Sequence, residues 1–598
     1  MTHQTERESQ SFERLKKLYQ AEMVVLLQQE PKNRVPSQTF LDVCLYLHII
    51  SPQAANQLFA VLDMPTKQQM HEHKQAFFKE DLVDKNMIGY GVPELDVIKG
   101  TVADFLRRHC AGIPATNLVV TCGQDALFFV PRVMEHGPIG ATKYSGAMPF
   151  MDVDGEQPIK PIRAGVTFML NVLNYNVKSK LIYFMFSENG NEAENIDQVL
   201  KLIKKACQQK HMQFLCYTGD CESHFVSTYI TQQVKVVINN YFGASRGRAH
   251  IQQLINKVIT GCPDRYHLLK AIRNNLVLGP LIFDVSEREI QSCNIIDIED
   301  FIEVLKLTST QASPNQVQRM RDDIAIQVLN PQQAGIMLES QYIHQGIFVL
   351  LCAPLLVGVG NGGQKQILGM LRLAQFCLHV YMHLHKAYSN TLKRAKNVGF
   401  KRGKKIEFTS AFSLEMLDKL IMYTAHLLQA VGKCPYTNWL AITSFNNEAC
   451  HGRMRRSSNH DNSAIKAQTV LLNFELISAI DERTGIVGTS RARIDSYIQD
   501  LTFKVRFEDS VINNDELFAI QVVEFLLNDI DATSAAVPPD SIKDKLIQFL
   551  KDCNCYEFDP LSLYKESKCT IVSLSQRNDA NSGRDVRMYD NLKKDTVQ

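Results

Sequence analysis

The sequence predicts an α/β protein with a large domain, in which flanking helices cover a mostly parallel sheet, and a smaller α+β domain. Two observations predict this class. Short apolar strands alternate with amphipathic helices over residues 117–220, and a helix, glycine turn, strand, loop and strand follow one another over 467–507. Alternation of the first kind is typical of parallel sheets covered on both faces.

The first elements precede the sheet. Residues 1–35 predict a charged helix and linker, and 36–64 predict two amphipathic helices. A Gly-Tyr-Gly turn at 89–91 then opens a helix whose apolar residues recur at helical spacing. Leu118–Val120 predicts a buried strand, and a glycine-bearing turn at 121–125 leads into a second helix beginning near Ala126.

The alternation continues in the order strand, strand, helix, strand. The segments are VTFMLNVL (166–173), KLIYFMFS (180–187), IDQVLKLIKKACQQK (196–210) and QFLCYTGD (213–220). Residues 299–311 predict another strand, and 337–430 are rich in predicted helix. The chain therefore divides into an N-terminal helix and linker (1–35), a large domain (36–400) with an insertion at about 221–297, a small domain (400–535), and a C-terminal helix with a disordered tail (536–598).

Composition excludes several classes of protein. The 65 basic and 63 acidic residues leave a net charge of +2, which predicts neither a nucleic-acid partner nor a membrane-surface partner. The 15 cysteines lack the paired spacing of a zinc site and indicate reduced thiols in the cytoplasm. The most apolar window, 346–360, is shorter than the roughly 20 residues of a membrane span. We expect a soluble, cytoplasmic protein with no metal.

The stretch from Ile88 to Val130 resembles the beginning of an aminotransferase of the alanine aminotransferase type, which uses pyridoxal 5′-phosphate (PLP). The resemblance covers roughly 36–220 and 299–530. It implies the fold type I large domain, a homodimer, and an amino acid and a 2-oxo acid as substrates. In this family the cofactor phosphate lies at a helix N-terminus, where free N–H groups point at an anion. The turn at 121–125 matches that position.

The resemblance assigns roles in cofactor and substrate binding. An arginine suits a substrate carboxylate because its guanidinium presents a planar, bidentate fork. The implied residues are Gly123, Gln124 and Asp125 at the phosphate, Tyr144 on the pyridine ring, Asn189 or Asn191 at the phenolic oxygen, Asp220 at the pyridine nitrogen, Arg321 as a later cofactor-site landmark, and Arg506 at the substrate carboxylate.

The lysine that forms the Schiff base has no clear counterpart. Counting back from Arg321 places Ala312 at that position. Two other alignments place Arg246 or Lys270 there. Only Lys270 supplies the primary amine that an imine requires.

Three functions follow as hypotheses. The first, which we favour, is a divergent aminotransferase-like protein with impaired or absent transamination and a binding or regulatory role, with 221–297 contacting a protein partner. The second is an active PLP-dependent transaminase that uses Lys270. The third is a PLP-type fold with chemistry that needs no imine. Separately, the run 392–405 contains seven Lys or Arg residues. This pattern predicts either a polyanion-binding patch or, as the favoured interpretation, a solvated helix end.

Overall fold

The structure is a computed structural model. It describes residues 36–50, 55–57, 60, 66–79, 88–128, 150–151, 158–159, 164–175, 177, 179–187, 192–220, 226–243, 261–283, 295–315, 321–358, 364–390, 397–401, 404–433, 436–438, 442–444, 447, 450–451, 498–500, 509–527 and 539–556.

Strands form two groups along the chain, one before residue 264 and one after it. They are β1 (Ile88–Tyr90), β2 (Val119–Phe128), β3 (Phe150–Met151), β4 (Pro158–Ile159), β5 (Ala164–Val172), β6 (Lys180–Ser187), β7 (Gln213–Gly219), β8 (Gly261–Pro263), β9 (Leu281–Ile282), β10 (Asn397–Lys401), β11 (Lys404–Ser410), β12 (Tyr436–Asn438) and β13 (Ile498–Asp500).

Helices dominate the second half of the chain. They are α1 (Gln38–Ile50), α2 (Lys67–Lys79), α3 (Leu95–His109), α4 (Ala193–Gln209), α5 (Gln232–Gly243), α6 (Arg265–Leu278), α7 (Ile298–Leu305), α8 (Asp322–Val328), α9 (Pro331–Glu339), α10 (Ile343–Leu350), α11 (Gln364–Asn390), α12 (Leu414–Lys433), α13 (Asp509–Leu526) and α14 (Pro539–Asp552). A π-helical segment (Val226–Thr231) precedes α5.

The main sheet has six strands in the order β1-β6-β5-β2-β7-β8. β5 runs antiparallel to both of its neighbours, β2 and β6, while the other adjacent strands are parallel. The prediction of a mostly parallel sheet is therefore wrong. Only residues 173–179 connect β5 to β6, whereas a parallel connection needs a crossover of a dozen residues or more. The short connection was visible in the sequence.

The interior of the sheet is apolar. All nine residues of β5 are buried, as expected for a strand in the middle of a sheet covered on both faces. Helices α3 and α4 pack on one face, and α4 buries a stripe at helical spacing that includes Ile196, Leu200 and Ile203. The opposite face carries a polar cluster, which is described below.

Several predicted elements have the wrong secondary structure, beginning with the Gly-Tyr-Gly turn, where residues 88–90 form strand β1. The segment after Gly123 is no helix, because β2 continues to Phe128 and pairs with β5 along its length. Residues 299–311 form helix α7 and a turn instead of a strand. There the apolar residues Ile298, Phe301, Ile302 and Leu305 follow helical spacing, and Asp297 caps the helix by accepting a hydrogen bond from the Glu299 N–H.

The helical part of the chain packs around α11. The C-terminal helices α13 and α14 lie against it, and Arg372 of α11 forms a bidentate pair with Asp515 of α13 at 2.9 and 3.0 Å. Among the described helices, one segment of α11, Gln366–Ser389, has the length and hydropathy of a membrane span. Of its most apolar window, 83% is buried inside the protein, which is ordinary for a core helix.

Three small sheets complete the described strands. β10 and β11 form an antiparallel hairpin, and β11 pairs in parallel with β9. β12 pairs with β13, and β3 pairs with β4. Most of 467–507 lies outside the described residues, so the predicted domain boundaries stay predictions.

Candidate functional site

Two aspartates lie side by side at one end of the main sheet. In the parallel pairing of β2 with β7, Gly123 is opposite Thr218 and Gln124 is opposite Gly219. Asp125 is the next residue of β2, and Asp220 is the first residue after β7. Parallel neighbours share a face of the sheet, and adjacent strands lie about 4.8 Å apart, so the two carboxylates project from the same face at neighbouring positions.

Each aspartate has a histidine partner. Asp125 Oδ2 lies 3.3 Å from His451 Nδ1, and Asp220 Oδ1 lies 3.0 Å from His267 Nδ1. The side chain of Asp125 is 13% exposed and that of Asp220 is 24% exposed. Both carboxylates are thus held in place and remain accessible to a ligand from solvent.

Residues 442–444, 447 and 450–451 follow helices α6–α12 in the chain and contact the main sheet. We call them the returning segment. Asn447 Nδ2 donates hydrogen bonds to Gly123 O at 3.1 Å and to Thr167 O at 3.0 Å. A Cβ at position 123 would overlap Asn447 Oδ1. Glycine in this strand therefore allows the close approach of Asn447, as is common for glycine inside strands.

Asp264 connects the start of helix α6 with Ser444 of the returning segment. It caps α6 by accepting hydrogen bonds from the N–H groups of Tyr266 and His267. Its Oδ2 also accepts hydrogen bonds from Ser444 N at 2.6 Å and Ser444 Oγ at 2.9 Å. Ser444 Oγ lies 3.2 Å from Asp220 Oδ1 as well. Through these contacts, a buried carboxylate positions the segment that precedes Asn447.

The electrostatics of this cluster favour charged groups. Burial alone would lower the pKa of His267, but hydrogen bonds and charge from Asp220 and Asp264 raise it to about 11, so the imidazole is protonated at neutral pH. Burial likewise opposes ionisation of Asp264, but His267 and the Ser444 N–H outweigh it and hold the pKa of Asp264 well below its usual range. A cation therefore already balances part of the acidic charge.

The donor atoms suit a hard divalent cation. Mg²⁺ binds oxygen ligands, keeps several waters, and is commonly held by one or two carboxylates together with substrate phosphates. Asp125 and Asp220 supply such carboxylates. Within the described ranges, no three His, Cys, Asp or Glu side chains form a ready-made metal cage. The site therefore fits a cation that arrives with water or a phosphate as further ligands.

Three residues that were predicted at the Schiff-base or cofactor site make other contacts in the structure. Lys270 is buried on α6, where its Nζ pairs with Asp322 at 3.0 Å. Arg321 precedes α8 and forms a bidentate pair with Asp323 at 2.6 and 3.1 Å. Ala312 closes a turn by a backbone hydrogen bond to Thr308 O.

Of the predicted cofactor residues, the structure brings Gly123, Asp125 and Asp220 together, while Gln124 points from β2 to the opposite face. Gly123 and Asp125 lie in the middle of a strand, so no helix N-terminus cradles a phosphate there. Tyr144, Asn189, Asn191, Arg246 and Arg506 lie outside the described residues.

Sequence reasoning missed the residues that hold the aspartates. Thr167, Ser444, Asn447 and His451 come from segments up to 324 positions from their partners, and no local spacing connects them. A usable signal did exist, because Asp125 and Asp220 each directly follow a buried stretch of strand, at 119–124 and 215–219.

No protein-family model matches the chain, and no curated protein matches it. Among solved structures, the chain is similar to the Drosophila P element transposase strand transfer complex, with a TM-score of 0.47 and 12% sequence identity. The similarity covers 80% of this chain and 99% of that chain.

These findings correct two predictions. The resemblance to PLP-dependent aminotransferases is wrong, since no family model matches the chain, strand β2 replaces the helix expected at the cofactor phosphate, and Lys270 pairs with Asp322. The exclusion of a nucleic-acid partner is wrong as well, because it rested on the net charge alone. Its physical weakness is that a net charge summed over 598 residues conceals local basic runs. A binding role, a protein partner at 221–297, a homodimer and a cytoplasmic location stay predictions.

Proposed function

We propose that the chain is a divalent-metal-dependent phosphoryl transferase that cleaves a phosphodiester, with Asp125 and Asp220 as the metal-binding carboxylates. The observation that carries this proposal is their placement at the same level of adjacent parallel strands, each one residue beyond the pair of Gln124 with Gly219. Carboxylate sites of this kind serve phosphatases, polymerases and nucleases, where bound metal stabilises the attacking and leaving oxygens.

In the simplest reaction, a water oxygen forms a new bond to phosphorus while the ester P–O bond breaks. The water proton leaves to solvent, and the departing alkoxide takes up a proton. In this reaction Asp125 and Asp220 would hold the cation, while His451 and His267 keep the two carboxylates in position.

The test uses the full chain and bis(p-nitrophenyl) phosphate. We expect turnover in Mg²⁺ or Mn²⁺ that EDTA abolishes. Asp125→Asn and Asp220→Asn should each lower kcat at least a hundredfold and weaken Mn²⁺ binding, measured by electron paramagnetic resonance. Asp96→Asn, which removes a highly exposed carboxylate on α3, is the matched control. EDTA-resistant turnover, or Mn²⁺ binding unchanged in both site variants, would refute the proposal.

A further inference from the structure

The β10–β11 hairpin is the most basic part of the chain that the proposed site does not use. Residues 392–405 contain seven basic residues and no Asp or Glu. Residues 397–401 and 404–405 of this run lie in strands, so the predicted helix end is wrong there. We propose that the hairpin binds the phosphate backbone of duplex DNA, which is then the substrate of the site; this inference rests on the proposed phosphoryl transfer.

Strand register concentrates positive charge at the end of the hairpin. Lys401 is opposite Lys404, and Phe400 is opposite Lys405. Like charges directly opposite each other destabilise an antiparallel pair. The nearest acidic residue in either strand, Glu407, is opposite Val398, three register positions away. A bound polyanion would relieve this repulsion and release its own counterions.

Connectivity ties the hairpin to the site. Helix α6 begins directly after Asp264 and spans about 21 Å over its 14 residues. Strand β9 follows two residues later and pairs with Thr409 and Ser410 of β11. From there to Lys404 the strand covers about 17 Å at 3.4 Å per residue. With the link from Leu278 to Leu281 and the step from β9 to β11 included, the basic end lies within roughly 55 Å of Asp264, about half the length of a 30-base-pair duplex.

Duplex DNA fits these features better than an anionic membrane. A two-stranded β-ribbon matches the width of the major groove, and B-DNA presents one negative charge per 1.7 Å of its axis. A flat lipid surface has no groove to receive a ribbon. Since β10 is an edge strand, its lysine also guards against edge-to-edge aggregation. Protection against aggregation requires only a charged side chain on the edge strand, whereas residues 392–405 contain seven basic residues and no Asp or Glu.

The test measures binding of a fluorescent 30-base-pair duplex to the full chain in EDTA at several salt concentrations. The variant carries Lys401→Gln, Lys404→Gln and Lys405→Gln. We expect at least a tenfold loss of affinity, with the salt slope reduced by about one for each lost phosphate contact. The control replaces Lys201, Lys204 and Lys205 of α4 by Gln, three lysines on another surface, and should bind like the parent.

Because EDTA removes the cation, this experiment separates the two proposals. DNA binding in EDTA that depends on the hairpin, together with no turnover of bis(p-nitrophenyl) phosphate in Mg²⁺ or Mn²⁺, would leave the DNA binding standing and sink the proposed function. Unchanged affinity and slope in the hairpin variant would overturn the inference, even if phosphodiester cleavage is confirmed. So would a hairpin-dependent affinity for phosphatidylserine vesicles that exceeds the affinity for DNA.

Discussion

At the scale of single residues, Gly123 shows how closely the returning segment approaches the sheet. In Gly123→Ala the new methyl group must displace Asn447. We expect a loss of about 1–3 kcal/mol of unfolding free energy from overpacking, together with weaker Mn²⁺ binding. Urea unfolding and Mn²⁺ titration measure the two effects. Gly123→Ala combined with Asn447→Ala should recover part of the stability, and a double variant less stable than either single one would contradict this account.

His344 is a second residue with a testable consequence. It is 4% exposed, and burial lowers its pKa from 6.5 to about 4. Between these values the unfolded chain binds the proton and the folded chain does not, so stability falls as pH drops from 6.5 towards 4. The shift corresponds to at most about 3 kcal/mol at low pH.

We therefore expect His344→Phe, which preserves the ring packing against Phe525, to flatten the acid side of the stability profile. Urea unfolding from pH 7 to pH 4 measures it. His211→Asn is the control, because His211 is exposed and occupies a left-handed backbone conformation that Asn tolerates. If the stability of His344→Phe falls as steeply between pH 7 and pH 4 as that of the parent, His344 is not the source of the pH dependence.

At the scale of elements, the contact of Asp264 with Ser444 connects the start of α6 to the returning segment. Asp264→Asn keeps the side-chain shape but removes the charge and one acceptor. Leaving buried donors unpaired costs about 1–3 kcal/mol. We expect urea unfolding to show a loss of this size in the free energy of unfolding. We also expect a reduced affinity for Mn²⁺, because Ser444 would no longer be held against the carboxylate of Asp220.

The matched control is Asp297→Asn, which changes the N-cap of α7 outside the site. It should lower stability by less and leave Mn²⁺ affinity unchanged. If both variants weaken Mn²⁺ binding equally, the effect is general destabilisation and Asp264 has no positioning role.

At the scale of the whole molecule, Gly369 marks where the C-terminal helices dock on α11. A Cβ there would overlap the backbone carbonyl of Cys553, just after α14, and a backbone atom cannot rotate away as a side chain can. We expect Gly369→Ala to cost 3 kcal/mol or somewhat more. Proteolysis should then cleave within 539–556 at lower protease concentration.

Gly100→Ala provides the comparison. Gly100 also lies inside a helix, but nothing lies within 4 Å of its missing Cβ, so the substitution should stabilise the protein by about 0.5–1 kcal/mol. If Gly369→Ala is as mild as Gly100→Ala, the C-terminal helices do not pack against α11 in this way.

Sequence patterns predicted local structure better than they predicted the way strands combine. Strand β6, helix α4 and strand β7 appear where their apolar spacing places them, since burial of one face determines the pattern. The antiparallel direction of β5 follows from its short connection to β6, residues 173–179. The prediction of a mostly parallel sheet followed the family resemblance instead of this length. The site was half predictable, because Asp125 and Asp220 each follow a buried stretch of strand, whereas Asn447 and His451 approach the sheet only through tertiary packing.

The separation of Asp264 from Ser444 also has a consequence for biosynthesis. The two residues are 180 positions apart, and a ribosome adding 5–20 residues per second needs about 10 to 35 s to travel from one to the other. During that interval the strands of the main sheet have been made, but Gly123, Thr167 and Asp264 have no returning segment to contact. The nascent protein thus presents the polar face of its sheet long before it can be covered, and the site is completed late in translation.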